Sequence, residues 1–265
     1  MKYCRGHQYV GGFVGSDAMR DRWIQPMVDG WVKGVGTLAM IARKYPQTAC
    51  VGFTQSLQAE WQYLLRIVPD VGTHMGPVEE AIRKEFIPAL LDLPPAEVTD
   101  SMRTLLSHGI KQGGLNIRNP ATGAARLNQA SAEASTTLVD SLLENGELNL
   151  GAHKATVRED GAEARKEKVE GEMAVVKEMI SSSSKIVAKR LVRIGKTGAW
   201  LTVMPNKLNN TVLSMEEWRD NARIRYGYRP MALCTHCDGR GAGFTLQHAL
   251  SCKKGGLVGI WHDDA

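Results

Sequence analysis

Four potential zinc ligands lie close together near the C-terminal end of this 265-residue chain. They are Cys234, Cys237, His248 and Cys252, with the spacing Cys-x2-Cys-x10-His-x3-Cys. Zinc is bound by thiolates and imidazoles at tetrahedral corners, and a two-residue gap lets one tight turn aim two thiolates at the same ion. Protein ligands would fill all four corners, so the pattern predicts a structural zinc ion. The alternative is that these residues fall in this order by chance or are what is left of a site that has decayed.

A surplus of positive charge accompanies these residues. Between positions 185 and 255 there are 13 Lys and Arg residues against four Asp and Glu residues, a net charge of +9, whereas residues 1–150 have 14 against 15. Because cations pair with phosphates, this part of the chain favours binding to RNA or DNA. The candidate nucleic-acid-binding residues are Arg219, Arg223, Arg225, Arg229, Arg240, Lys253 and Lys254.

Aromatic residues are interleaved with these cations, and unpaired bases could stack on them. They are Trp200, Trp218, Tyr226 and Tyr228. The alternative interpretation is a basic, solvated surface with the tryptophans in the protein core.

Patterns typical of enzymes do not hold on closer inspection. Gly195-Lys196-Thr197 resembles the end of a phosphate-binding loop, but Arg190 occupies the position that requires a glycine. Gly239, Gly241 and Gly243 miss the dinucleotide-binding spacing, because position 244 is Phe. The sequence therefore predicts no catalytic residue.

Most of the chain has the periodicity of amphipathic helices, in which apolar residues recur at steps of three and four. A short strand is predicted within residues 8–15, where aromatic and β-branched residues alternate with glycines. Ser214 and Glu217 have the spacing of a capping box, which predicts the start of the last helix. The predicted helices cover residues 17–43, 51–67, 76–90, 121–143 and 215–226, with a further helical stripe from 161 to 194.

The stripe from Val169 to Ile194 has two interpretations. It is an amphipathic helix whose charged side is solvated, or it packs against the same helix of a second molecule. The second interpretation supports an alternative function, a helical self-association or protein-interaction module with an incidental basic tail. Residues 181–184, four serines, interrupt the stripe and argue against a long coiled coil.

The predicted fold is mainly α, in three segments. Residues 1–150 form a helical region, residues 151–194 a charged amphipathic helical connection, and residues 195–265 a basic region with a small α/β zinc-knuckle-like motif. A hydrophobic share of 43% excludes a wholly disordered chain. Five cysteines are too few for a disulfide scaffold, and neither a signal peptide nor an apolar run of about 18 residues is found. We therefore expect an intracellular protein that is neither secreted nor bound to a membrane.

Several short motifs, taken in order, resemble the downstream part of the reverse transcriptases of non-LTR retrotransposons. The N-terminal half contributes YVGGFVGS at 9–16, ARKYPQ at 42–47, SLQAEW at 56–61 and GGLNIRNP at 113–120. The C-terminal part contributes GAWL at 198–201, RYG at 225–227, CDG at 237–239 and HALSCKKGGL at 248–257. Together these segments are spread over most of the chain.

The resemblance implies a helical thumb-like region after the polymerase palm, a basic connection, and a zinc knuckle that contacts RNA or DNA. Members of this transposable-element family are RNA-directed DNA polymerases, but the Tyr-x-Asp-Asp turn that holds their metal ions is missing from this sequence. The resemblance thus implies a truncated copy that is not catalytic alone. Arg240 stands where the family has a cysteine, so the knuckle's remaining ligand would be Cys234 or His236. The family's life cycle implies a nuclear location, although residues 185–196 are not basic enough to prove import, which leaves the cytoplasm open.

Overall fold

The structure is a computed structural model, and it describes residues 6–144, 146–231 and 248. It is mainly helical, which confirms the predicted fold class. The strand prediction corresponds to a hairpin of β1 (Gly6–Tyr9) and β2 (Gly12–Gly15), paired antiparallel with His7 opposite Val14. Val10 and Gly11 connect the strands with φ angles of 47° and 77°, as a type I′ turn requires.

Ten α-helices follow within the described residues. They are α1 (Asp17–Ala42), α2 (Pro46–Gly52), α3 (Gln58–Ile67), α4 (Gly76–Ala81), α5 (Ile87–Leu91), α6 (Asp100–Ser107), α7 (Ala124–Leu143), α8 (Leu150–Ser182), α9 (Lys185–Ile194) and α10 (Met215–Tyr226). Short 3₁₀ helices lie at Val71–His74, Pro95–Glu97, Ile110–Gln112 and Ala199–Thr202. Along this part of the chain, no helix combines the length and the apolar character needed to cross a bilayer.

Two π-helical turns interrupt the predicted helices at 51–67 and 76–90. The first, Phe53–Leu57, joins α2 to α3, and the second, Ile82–Phe86, joins α4 to α5. Phe53 and Phe86 stack on each other with ring centroids 4.5 Å apart, and Trp61 meets Phe53 edge-on at 5.8 Å. The two turns therefore contact each other through the most buried aromatic side chains of the core.

Helix α1 buries a row of residues from its second turn to its end. The buried positions are Ile24, Val28, Trp31, Val35, Ala39 and Ala42. Trp31, Val35 and Ala42 belong to the apolar face that the sequence predicts for this helix, and they are buried. The other predicted positions Trp23, Met27 and Leu38 lie beside the row and are half-buried. One buried cluster also includes residues from α9 and α10, among them Leu191, Ile194 and Trp218. All three predicted segments thus contribute to the same core.

Helix α6, which lies between Pro95 and the loop at 109–119, was not predicted from the sequence. This loop folds back on α6, because the backbone N–H groups of Leu115 and Ile117 donate to the carbonyl of Leu106 at 3.1 and 3.2 Å. Helices α7 and α8 then form an antiparallel hairpin, in which Arg126 donates to the carbonyl of Ala164. The serine tetrad ends α8, and Ser183 and Ser184 separate it from α9 as predicted.

Candidate nucleic-acid interface

Helix α10 carries three of the predicted nucleic-acid-binding arginines, and it begins with the predicted capping box. Ser214 Oγ accepts a hydrogen bond from the N–H of Glu217 at 3.1 Å, and Glu217 Oε2 accepts one from the N–H of Ser214 at 2.8 Å. These bonds hold the pKa of the Glu217 carboxyl below its usual value. The local sequence thus determines where the helix begins, which fixes the positions of its arginines.

Arg219 points into the protein. Its side chain is 5% exposed, and Nη2 donates to the carbonyl oxygens of Ala42, Arg43 and Ala89 at 3.1, 3.1 and 3.0 Å. Burial lowers the pKa of the guanidinium, an effect that the carboxylates of Asp92 and Glu216 oppose. This side chain is enclosed by the ends of α1 and α5.

Arg223 and Arg225 make contacts of the same kind. Arg223 Nη1 donates to the carbonyl of Asp92 at 2.5 Å, and its Nε donates to the carbonyl of Arg229 at 2.6 Å. Arg225 is 6% exposed, and its Nη2 donates to the carbonyl of Ile110 at 3.3 Å. A positive surface that includes Arg219 and Arg225, as predicted, is therefore not found.

The physical reason is the need of helix C-termini for hydrogen-bond donors. The last carbonyl groups of a helix have no partner within it, and the helix dipole gives that end a partial negative charge. Helices α1 and α5 both end against α10, where arginines satisfy their carbonyls. The α10 arginines thus fasten the last described helix to the core.

The interleaved aromatic residues lie inside the protein or at its edge. Trp218 is 2% exposed and meets Trp200 edge-on, with ring centroids 6.2 Å apart. The hydroxyl of the buried Tyr226 donates to the carbonyl of Gly113 at 3.1 Å, and burial raises its pKa. The interpretation of the tryptophans as core residues is confirmed for Trp218.

A row of exposed cations lies instead on α9 and just after it. Lys185, Lys189 and Arg193 follow each other at steps of four, so they form one row along the outer side of the helix, about 6 Å apart. Leu191 and Ile194 are buried on the opposite side. Lys196 is exposed two residues beyond the helix, and we call these four residues the α9 cation row.

The α9 cation row is not neutralised by neighbouring carboxylates. Within residues 6–144, 146–231 and 248, none of its four side chains forms an ion pair. The sequence from Lys185 to Met215 contains no Asp or Glu. Lys111 is also exposed, and its backbone carbonyl lies beside Gly195. This row could have been found in the sequence, because Lys185, Lys189 and Arg193 are four residues apart and lie opposite an apolar helix face.

The remaining candidate residues are placed as follows. Arg229 is exposed on the segment after α10. Cys234, Cys237, Cys252, Arg240, Lys253 and Lys254 lie outside the described residues, whereas His248 is described and half-buried. Among the described residues, no group of three or more His, Cys, Asp or Glu side chains could hold a metal ion. The zinc site stays a prediction.

Most apolar residues of the predicted stripe from Val169 to Ile194 pack against the core of the same chain. Val176, Ile180 and Val187 pack against the core, and Leu191 and Ile194 belong to it. Val169 and Met173 are 38% and 58% exposed. Self-association through this stripe also stays a prediction, with these two side chains as its most exposed apolar members.

Comparison of the chain with protein-family models, with curated proteins and with solved structures finds no match.

Proposed function

We propose that this chain binds the phosphate backbone of RNA or DNA through the α9 cation row, without catalysing a reaction by itself. The observation that carries the proposal is the row of four exposed cations, in a stretch of 31 residues that contains six Lys and Arg residues and no Asp or Glu. Each cation placed against a phosphate releases condensed counterions, which favours binding to any sequence. The resemblance to the downstream part of non-LTR retrotransposon reverse transcriptases supports the same function.

The α9 cation row suits backbone contacts better than base recognition. Lys185, Lys189 and Lys196 are point charges with flexible stems, and Lys side chains contact phosphates without reading the bases. Leu191 and Ile194 hold the opposite face of α9 in the core, so the row is presented on a fixed support. We expect binding that depends strongly on salt and weakly on sequence.

The test is a salt titration with a labelled single-stranded oligonucleotide of mixed sequence. Four phosphate contacts predict a plot of log Kd against log salt concentration with a slope of about 3. The triple substitution Lys185→Gln, Lys189→Gln and Arg193→Gln should lower this slope by about 2 and weaken binding at least about tenfold at 100 mM salt.

A matched control removes three charges elsewhere. Lys33, Lys154 and Arg158 are exposed and form no ion pair in the part of the chain that the structure describes. Their replacement by Gln changes the net charge equally and should leave the slope within about 0.5 of the unmodified protein's. Equal effects of the two triple substitutions would contradict a localised site, and no binding by the unmodified chain would contradict the function itself.

The predicted zinc ion belongs to the same proposal. Cys234, Cys237, His248 and Cys252 would hold it, and its role would be to fold the C-terminal residues into a second nucleic-acid contact that includes Arg240, Lys253 and Lys254. This part of the proposal rests on the spacing of the ligands and on the resemblance to the family.

A further inference from the structure

A loop after α9 presents an exposed leucine on a rigid support. Residues 203–212 connect the 3₁₀ helix Ala199–Thr202 to the segment before α10, and we call them the Leu208 loop. Leu208 is 93% exposed, more than any other large apolar side chain that the structure describes. Covering this side chain with a ligand would remove apolar surface from water, which favours binding.

Side-chain hydrogen bonds fix the shape of the Leu208 loop from within. Asn206 Oδ1 accepts from the N–H of Leu208 at 2.8 Å, which makes an Asx turn at the tip. Thr211 Oγ1 accepts from the N–H of Asn206 at 2.9 Å and donates to the carbonyl of Met204 at 2.7 Å. Asn210 adopts the left-handed conformation with a φ of 53°, which Asn tolerates.

The core holds the base of the loop through one buried glutamine. Gln47 is 6% exposed, its Nε2 donates to the carbonyl of Thr211 at 2.9 Å, and its Oε1 accepts from the N–H of Leu213 at 2.8 Å. The side-chain amide of Gln47 therefore donates one hydrogen bond and accepts another, as the backbone of a neighbouring strand would. As a result, the position of Leu208 is already set before any partner binds.

The surroundings of Leu208 favour a polyanion. Lys207 precedes it, Asn209 and Asn210 follow it, and all three are exposed. The α9 cation row lies just before the loop in a stretch without acidic residues. A leucine that met a hydrophobic protein groove would not need this cationic and amide-rich rim, whereas cations and amides contact phosphates and base edges.

We propose that Leu208 is a wedge that inserts between adjacent bases of the nucleic acid held by the α9 cation row. This inference rests on the proposed function and deepens it. Apolar side chains such as Leu insert at base steps and unstack them, at a cost that is smallest where the bases are mismatched or already unpaired. The favoured ligand is thus a duplex with a mismatch or a junction between double and single strand.

The experiment uses the full chain and duplexes that carry the fluorescent base 2-aminopurine beside a mismatch. Unstacking raises the fluorescence of this base. We expect the unmodified protein to raise it at least about twofold, and to bind the mismatched duplex about tenfold more tightly than the perfect duplex. Leu208→Ala should abolish both effects while keeping the salt dependence, whereas Lys207→Gln should weaken binding to both duplexes equally.

Two further measurements make the outcomes distinct. Thr211→Val removes the hydroxyl that bonds Asn206 and Met204, and it should reduce the fluorescence change although Leu208 is intact. Binding of Leu208→Ala to vesicles with anionic lipids is measured in parallel. Equal fluorescence changes for the unmodified protein and Leu208→Ala would overturn the wedge. So would a variant Leu208→Ala that binds vesicles more weakly than the unmodified protein but binds nucleic acid equally well. Absence of all nucleic-acid binding would overturn the proposed function as well.

Discussion

The arginines of α10 show that a cationic residue near other cations can stabilise the fold instead of binding a ligand. Arg219 is the clearest case, since its Nη2 contacts carbonyl groups from the ends of two helices, α1 and α5. Bonds from a charged donor to carbonyls are stronger than neutral ones, and their loss leaves buried acceptors without a partner. We therefore expect a structural role for this residue.

Replacing Arg219 by Met should destabilise the protein by about 2–4 kcal/mol, because one buried and two partly buried carbonyl groups lose a charged donor while the apolar stem is kept. Urea unfolding followed by circular dichroism measures this change. The control Lys33→Met alters an exposed cation and should change the stability by less than about 0.5 kcal/mol. Similar stabilities for the two variants would contradict the role of Arg219.

At the scale of elements, α6 and the loop at 109–119 form a compact unit that depends on close backbone contact. The N–H groups of Leu115, Asn116 and Ile117 donate to the carbonyls of Leu106 and His108. Gly114 lies so close to His108 that a Cβ atom would overlap its carbonyl oxygen. The resulting turn carries Gly113, whose carbonyl accepts from Tyr226 of α10.

Gly114→Ala should destabilise the protein by more than about 2 kcal/mol, because the added methyl group meets backbone atoms that cannot move aside. Gly30→Ala is the matched control. Gly30 is exposed within α1, a Cβ atom there has no neighbour within 4 Å among the described residues, and its φ is not positive, so the variant should equal the unmodified protein or exceed its stability by up to about 1 kcal/mol. Chemical unfolding compares the two, and a tolerated Gly114→Ala would show that the loop can shift.

On the scale of the whole molecule, segments distant in sequence share one core. Residues of α1, α5, α9 and α10 meet in it, and the α9 cation row and the Leu208 loop are both attached to it. If these two surfaces bind nucleic acid, the helical core acts as their support. The predicted zinc ligands follow α10 along the chain, so zinc binding can be tested with the same full-length protein.

Elemental analysis of the purified full chain should find one zinc ion per molecule. Cys234→Ser should lose this ion, because a thiolate ligand is replaced by a hydroxyl. Circular dichroism serves as the control, since the described helices up to Tyr226 contain none of the predicted ligands and should keep their signal. Retention of zinc in Cys234→Ser would exclude this cysteine as a ligand, and absence of zinc in the unmodified chain would contradict the predicted site.

Local patterns in the sequence determined most of the helices. The apolar period predicted α1 and α7, and the capping box predicted α10, because such signals act between residues that are three or four positions apart. Helix α6 and the π-helical turns were missed, since short elements depend on what packs against them. The Phe53–Phe86 stack that joins the two π turns links residues far apart in the sequence.

The candidate interface could be predicted less well than the fold. The sequence located the surplus of positive charge between residues 185 and 255, because charge is a property of composition. Whether an arginine is exposed depends on which backbone carbonyls the tertiary structure brings to it. Arg219 contacts Ala42 and Ala89, which lie 177 and 130 positions earlier in the chain, so no local pattern could reveal its burial. Only the packing of α10 against these helix ends decided that Arg219 and Arg225 are structural. The cations of α9 are exposed because Leu191 and Ile194 hold the opposite face of that helix in the core.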